Sequence, residues 1–220
     1  MLKMHTSRGP RELLLVSLLL LLCFLVIAHF RTSFAGVNLE VNVWAGSINS
    51  GFFTPAALGI SIIFDTTALV VMSVAVATIL FFKHQWKYGL LLPGAMAGDA
   101  LLVAVCKTLI ASPRPGNEIL AETGYSFPSG HVTGSIVFFG VITYLVWRHW
   151  HTLKIRASSA GLYITIVGVV GFDRIYLNVH WLTDVLGAVI LGSLWLTFTI
   201  AVFSYFTSKK RRGIHLFYKT

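Results

Sequence analysis

The chain has 220 residues, of which 56% are hydrophobic and only 11% charged. Soluble domains carry about 25% charged residues, so this composition excludes an ordinary soluble enzyme and indicates an integral membrane protein, with residues 1–220 expected to form a single membrane-embedded domain. A net charge of +9 would suit nucleic acid, but the distribution of that charge along the chain argues for a bilayer instead.

A spanning helix needs roughly 20 mostly apolar residues. Six segments qualify in chain order: residues 12–30, 55–82, 87–110, 131–148, 159–178 and 183–207. The first has a basic start and an apolar run like those of a secretory signal peptide. No small-x-small cleavage site follows at once, Ser33-Phe34-Ala35 being the best, so the segment is expected to be retained. Residues 37–44 alternate weakly and fit an interfacial helix or a strand. The second span carries Asp65 near its outer end, where a structural role is expected; the third carries Asp99 and Lys107. Pro113 and Pro115 end the third span near Ser112, because the residue before proline is pushed out of the helical region. Glu118 and Glu122, in the loop that follows, are expected to face solvent, and Tyr125 and Phe127 to pack that loop or line the substrate path. Cys23 and Cys106 sit in apolar runs and read as packing residues, with neither disulfide nor metal-ligand spacing. The predicted fold is therefore all-α: an integral membrane six-helix bundle.

With a cytoplasmic N-terminus, 13 of the 17 Lys and Arg residues lie inside. This is a strong positive-inside bias. It accounts for the net charge, and inner-leaflet lipid suits the Lys209–Arg212 cluster at least as well as nucleic acid. The four exceptions are Arg31, Lys107, Arg114 and Arg174. Three of them belong to one constellation.

That constellation is Lys107-x6-Arg114-Pro115, then Pro128-Ser129-Gly130-His131, then Arg174-x5-His180-x3-Asp184. Ser129-Gly130-His131 immediately precedes an apolar run. It therefore lies at a helix N-terminus, where free N–H groups and the positive dipole end favour an anion. His180 and Asp184 are four apart and share a face on a continuing helix. A carboxylate on one imidazole nitrogen fixes the tautomer and frees the other nitrogen to attack. Lys107, Arg114 and Arg174 supply the positive charge that neutralises a phosphate. Taken singly, each element has an ordinary explanation: a helix cap, an interfacial ring, a snorkelling lysine. Together they do not, since ten fixed positions arise by chance with a probability on the order of 10⁻¹³ per choice of gaps, at about 5% per residue type. Asp99, about two helical turns below Lys107, is a possible supporting partner of the site.

These three motifs resemble the signature motifs of the type 2 phosphatidic acid phosphatase superfamily, which includes membrane lipid phosphate phosphatases and soluble vanadium haloperoxidases. The resemblance spans residues 107–184 and implies roles position by position. His180 would be the nucleophile that forms a phosphohistidine, Asp184 its orienting carboxylate, and His131 the acid that protonates the leaving oxygen. Lys107, Arg114, Ser129, Gly130 and Arg174 would bind the phosphoryl oxygens, with no metal and no cofactor. One departure is Asp173, where many members carry Ser; a carboxylate there could pair with Arg174 or Lys107. Large helical additions of the haloperoxidase kind are absent from this sequence.

The expected activity is hydrolysis of a lipid phosphate at the outer leaflet of a bacterial inner membrane, with both termini cytoplasmic. Undecaprenyl pyrophosphate, phosphatidylglycerophosphate, phosphatidate and lipid A 1-phosphate all fit, and no protein partner or nucleic acid is implied. Two rivals remain: a lipid-to-lipid phosphotransferase that uses the same intermediate, and a transporter or channel lined by the intramembrane charges. The charge count predicts that an impermeant thiol reagent labels a Glu118→Cys variant from outside the cell. Labelling from the cytoplasmic side alone would overturn the topology.

Overall fold

The computed structural model describes the backbone of residues 9–217 and the side chains of residues 9–207. Lys3, Arg8, Lys209–Arg212 and Lys219, which the topology argument counts, lie outside the described side chains. Eight α-helices are described: α1 Pro10–Phe30, α2 Ala35–Ser47, α3 Thr54–Ile63, α4 Thr66–Phe82, α5 Trp86–Ile110, α6 Gly130–His149, α7 Leu153–Tyr176 and α8 Leu182–Phe217. Among the described residues there is no strand. Five helical segments are long and apolar enough to cross a membrane, and counting the bent pair α3–α4 as one span raises the number to six.

The second span departs from the single long helix expected over residues 55–82. It breaks at Phe64–Asp65, and α3 and α4 meet at a 48° bend. The cause is local: the Asp65 side chain accepts the Thr67 N–H at 2.7 Å. That bond satisfies one of the donors that a new helix leaves free, so α4 starts afresh inside a continuous apolar run. The segment at residues 37–44 is helical, and it follows α1 through a short 3₁₀ turn at Arg31–Phe34.

α6 is the axial helix. It packs against α4, α5, α7 and α8, and residues 132–138 form an unbroken buried run. α1 lies along α8, and α4 along α5. Close approach depends on small residues at the crossings, as expected where helices pack without help from water. A Cβ at Gly140 would come 2.3 Å from Leu196 Cδ2, and one at Gly98 would come 2.1 Å from Trp195 Cζ2. Leu15, Leu19, Leu22 and Val26 of α1 point outward, as a lipid-facing surface requires.

Two features place the functional end. α5 stops at Ala111, a non-glycine residue in the left-handed region (φ 49°), and the two prolines beyond it keep the chain out of a helix. The loop then crosses the end of the bundle and returns to start α6. It is pinned by Ser126, whose N–H donates to the Ser112 carbonyl at 2.9 Å, and by the Phe127 ring, which is wholly buried and stacked on Phe24. A Cβ at Gly187 would come 2.5 Å from that ring. The C-terminal ends of α5 and α7, the starts of α6 and α8, and the α3–α4 break therefore meet at one end of the molecule.

Candidate active site

All eight residues assigned catalytic or phosphate-binding roles from the motifs gather at this end. A cavity of about 670 Å³ opens there, and its lining includes Lys107, Arg114, Gly130, His131 and His180.

His180 does not lie on a helix. Leu177–Trp181 is an irregular turn between α7 and α8, and Asn178 adopts the left-handed region (φ 54°) that reverses the chain. The i,i+4 relation with Asp184 is therefore made by this turn and the first turn of α8, not by a continuing helix. The geometry still brings them together. His180 Nδ1 lies 3.4 Å from Asp184 Oδ2, and the same oxygen accepts the Trp181 N–H at 2.9 Å. With Nδ1 donating to the carboxylate, Nε2 faces the cavity as the free nitrogen; the tautomer follows from this network. Burial pushes the His180 imidazole below its ordinary range, with Asp184 opposing. The neutral ring is therefore favoured.

The turn is held from outside the motifs. Asn42 donates to Asn178 Oδ1 at 2.7 Å, and Asn38 both donates to Thr183 Oγ1 at 3.0 Å and accepts the Thr183 N–H at 3.1 Å. Asn38 and Asn42 are buried and four apart on α2, so they present one face to the residues that flank His180. Sequence reasoning missed this clamp. The available signal was a pair of amides at helical spacing in a segment of undecided structure.

The cations occupy the same space. Arg174 is 0% exposed. Its Nε donates to Asp173 Oδ2 at 3.1 Å, and Nη2 bonds the same oxygen. Asp173 is thus a buried counterion of Arg174, one of the two pairings its position allowed. Arg114 reaches in from the loop and donates through Nη1 to the Val179 carbonyl at 2.7 Å and through Nε to Gly124 at 3.1 Å. Lys107 Nζ donates to the Tyr125 carbonyl at 2.6 Å. Ser129 sits at the N-cap of α6 in extended conformation and makes no side-chain cap bond. Its Oγ is buried and has no partner. An unsatisfied buried hydroxyl is costly, and this one lies next to Gly130 and His131 of the cavity lining. His131 Nε2 lies 3.2 Å from the Ser61 carbonyl.

Asp99 takes no direct part. It is buried beside Thr133 and Gly134 of α6. It makes no ion pair with Lys107.

Glu122 corrects the expectation that it faces solvent. Its side chain is only 18% exposed, and its two oxygens bridge the two arginines: Arg114 Nη1 to Oε2 at 2.9 Å and Arg174 Nη1 to Oε1 at 2.9 Å. His180 Nε2 lies 3.9 Å from Oε2. Burial alone would raise the Glu122 pKa, but His180, His131, Arg114 and Arg174 together hold it below the usual carboxylate range. The carboxylate is therefore an internal anion placed where two guanidinium groups and His180 Nε2 converge. The loop fold puts it there, and no local spacing announces it.

Comparison with known proteins fits this geometry. The family model described as the PAP2 superfamily matches residues 66–208. Phosphatidylglycerophosphatase B of Bacillus subtilis is 29% identical over 181 residues, covering 81% of this chain and 89% of the relative. An undecaprenyl-diphosphatase of Sulfolobus acidocaldarius is 32% identical over 134 residues, covering 56% of this chain and 58% of the relative. The crystal structure of the transmembrane PAP2-type phosphatidylglycerolphosphate phosphatase from Bacillus subtilis superposes with a TM-score of 0.76 at 28% identity, over 88% of this chain and 96% of that one.

Two outcomes follow from the site. Glu122→Gln removes a charge that competes for Arg114 and Arg174, and charge-assisted bonds contribute about 1.5–3 kcal/mol each. Inhibition constants for inorganic phosphate and vanadate should therefore fall about tenfold or more; an unchanged constant would mean that Glu122 does not compete with the anion. Because His180 titrates below the ordinary imidazole value of about 6.5, it stays neutral as the medium is acidified through that value. In a kcat/KM profile followed from pH 8 downward, the acid-side loss from protonating His180 should therefore appear only below pH 6.5; a loss of that kind centred at or above 6.5 would refute the buried, neutral ring.

Proposed function

This chain belongs to the PAP2 superfamily, and from that premise we propose how it acts and on what. It is a multi-pass membrane lipid phosphatase. One observation carries the mechanism: Arg114, Arg174 and the free nitrogen of His180 converge on a single anionic group, the Glu122 carboxylate. A phosphoryl group has the charge and the oxygen spacing to take that place.

In the proposed reaction the lone pair of His180 Nε2 attacks phosphorus. A P–N bond forms, the P–O bond to the lipid breaks with its electron pair on oxygen, and that oxygen takes a proton from His131. Asp184 holds Nδ1–H and stabilises the positive charge that develops on the ring. Lys107, Arg114 and Arg174, the Ser129 hydroxyl and the backbone N–H groups at the start of α6 hold the phosphoryl oxygens. Water then attacks phosphorus, its proton passes to His131, and the P–N electron pair returns to His180 as inorganic phosphate leaves. Arginine and lysine supply the neutralising charge, so the reading assigns no step to a metal.

The substrate is a phosphorylated lipid. Phosphatidylglycerophosphate is favoured because the relative of that specificity matches over 81% of this chain and 89% of its own length. Undecaprenyl diphosphate is the second reading, from the relative that matches over a shorter stretch. The setting is a bacterial plasma membrane with both termini cytoplasmic and the site outward. In support, Arg11, Lys83, Lys87, Arg148, Lys154 and Arg156 lie at the helix ends opposite the site. The whole chain acts as one unit, since α2 holds the His180 turn and α1 packs along α8.

The test is phosphate release in detergent from phosphatidylglycerophosphate, undecaprenyl diphosphate, phosphatidate and lipid A, with and without EDTA. Release should persist in EDTA and be inhibited by vanadate. It should fall by at least about 10³-fold in His180→Ala, on the scale seen when a nucleophile is removed. Activity lost in EDTA and restored by Mg²⁺ would refute the mechanism. A phosphorylated lipid product without free phosphate would identify a phosphotransferase, full phosphate release in His180→Ala would refute His180 as the nucleophile, and no release by the unaltered protein from any of the lipids would point to a transporter or channel.

A further inference from the structure

The α3–α4 break does more than bend a span. It sets two acceptors above His131: the Ser61 carbonyl, one turn before the break, and the Asp65 carboxylate, at the break itself. His131 Nε2 lies 3.2 Å from Ser61 O and 3.7 Å from Asp65 Oδ2. The two Asp65 oxygens divide their work, since Oδ1 accepts the Thr67 N–H at 2.7 Å while Oδ2 faces the imidazole. His131 Nδ1 has no protein partner among the described residues. Asp65, Thr66 and His131 line the same cavity as His180.

The arrangement mirrors the nucleophile. At His180 a carboxylate sits on Nδ1 and Nε2 is free; at His131 a carboxylate and a carbonyl sit on Nε2 and Nδ1 is free. We infer that Asp65 is a positioning residue for the proton donor: with the Ser61 carbonyl it orients the His131 ring through Nε2–H, leaving Nδ1–H of the protonated ring to deliver its proton to the lipid oxygen. In the balanced step, the P–O electron pair moves to the lipid oxygen as the Nδ1–H proton joins it, and His131 is left as the neutral Nε2–H tautomer. The inference rests on the reading of His131 as the acid. Asp65 touches neither substrate nor phosphorus and acts only through the ring.

Asp65 also caps α4, so a merely structural role has to be separated from this one. Asparagine accepts the same cap bond, so Asp65→Asn removes the charge and keeps the cap. The discriminating measurement is leaving-group dependence. An alkoxide needs a proton to depart, whereas p-nitrophenolate does not. The full-length protein in detergent is assayed on a short-chain phosphatidate and on p-nitrophenyl phosphate. General acid catalysis contributes about 10²–10⁴-fold, so loss of its orienting carboxylate should lower kcat on the alkyl phosphate on the order of 10- to 100-fold. KM should stay within about twofold, and the loss on the aryl phosphate should be far smaller. The ratio of the two kcat values does not depend on the folded fraction, and Asp65→Ser, a second capping residue without charge, should give the same ratio. Full activity on both substrates, or an equal loss on both, would overturn the role of Asp65. His131→Ala is the control beneath it: if that variant also leaves the ratio unchanged, the assignment of His131 as the acid fails, independently of Asp65.

Discussion

Everything at this end of the bundle depends on how Arg174 is neutralised. A guanidinium with no exposure inside an apolar helical protein is tolerable only if it is paired and its N–H groups are satisfied. Two carboxylates do this in different ways. Asp173 is the adjacent residue, itself buried, and takes Nε and Nη2 on one oxygen. Glu122 comes from a loop 52 residues away and takes Nη1. The first is fixed by the chain; on the proposed mechanism the second gives way to the phosphoryl group. Asp173 thus leaves Nη1 to Glu122, which lines the cavity, where a serine, having no charge, would leave more of the guanidinium uncompensated. A phosphate that displaces Glu122 finds a site already charged, desolvated and oriented, which is the condition for electrostatic preorganisation.

The two histidines are built by the same logic from unrelated parts of the chain. A helix end supplies each carboxylate: Asp184 lies in the first turn of α8 and Asp65 caps α4. Helix starts suit acidic side chains because their free N–H groups and dipole stabilise negative charge. Breaking the second span therefore gives a new helix start at the depth of the site, and with it a second place for a carboxylate. A straight helix over residues 55–82 would have offered none there.

What could be read from the sequence followed how each feature is encoded. Hydropathy gave away the long apolar helices, because the bilayer demands continuous runs. The cations and histidines stood out because charge is rare in this chain and theirs fell on the disfavoured side. The α3–α4 break was hidden because apolar residues continue through it. Its only mark is Asp65-Thr66-Thr67, a helix-start pattern inside an apolar run. Glu122 was hidden for another reason. Its partners are brought to it by the closure of the loop on Ser112, Leu177 and Val179, a long-range event without local periodicity. The i,i+4 reading of His180 and Asp184 reached the right contact through a helix that does not exist there.

The α2 clamp bears on what the catalytic unit is. The family match begins at residue 66, yet the turn that carries His180 is held by Asn38 and Asn42. Asn178 needs that support. Its left-handed backbone is a minority conformation for a side-chain-bearing residue, and its amide oxygen is buried, so losing the Asn42 bond would leave it unsatisfied at a cost of about 1–3 kcal/mol. The turn has no helix of its own to keep it in place. A nucleophile displaced by even 1 Å loses much of its advantage. On the proposed mechanism, residues ahead of the motif region would therefore bear on catalysis without touching the phosphate, by fixing where Nε2 points.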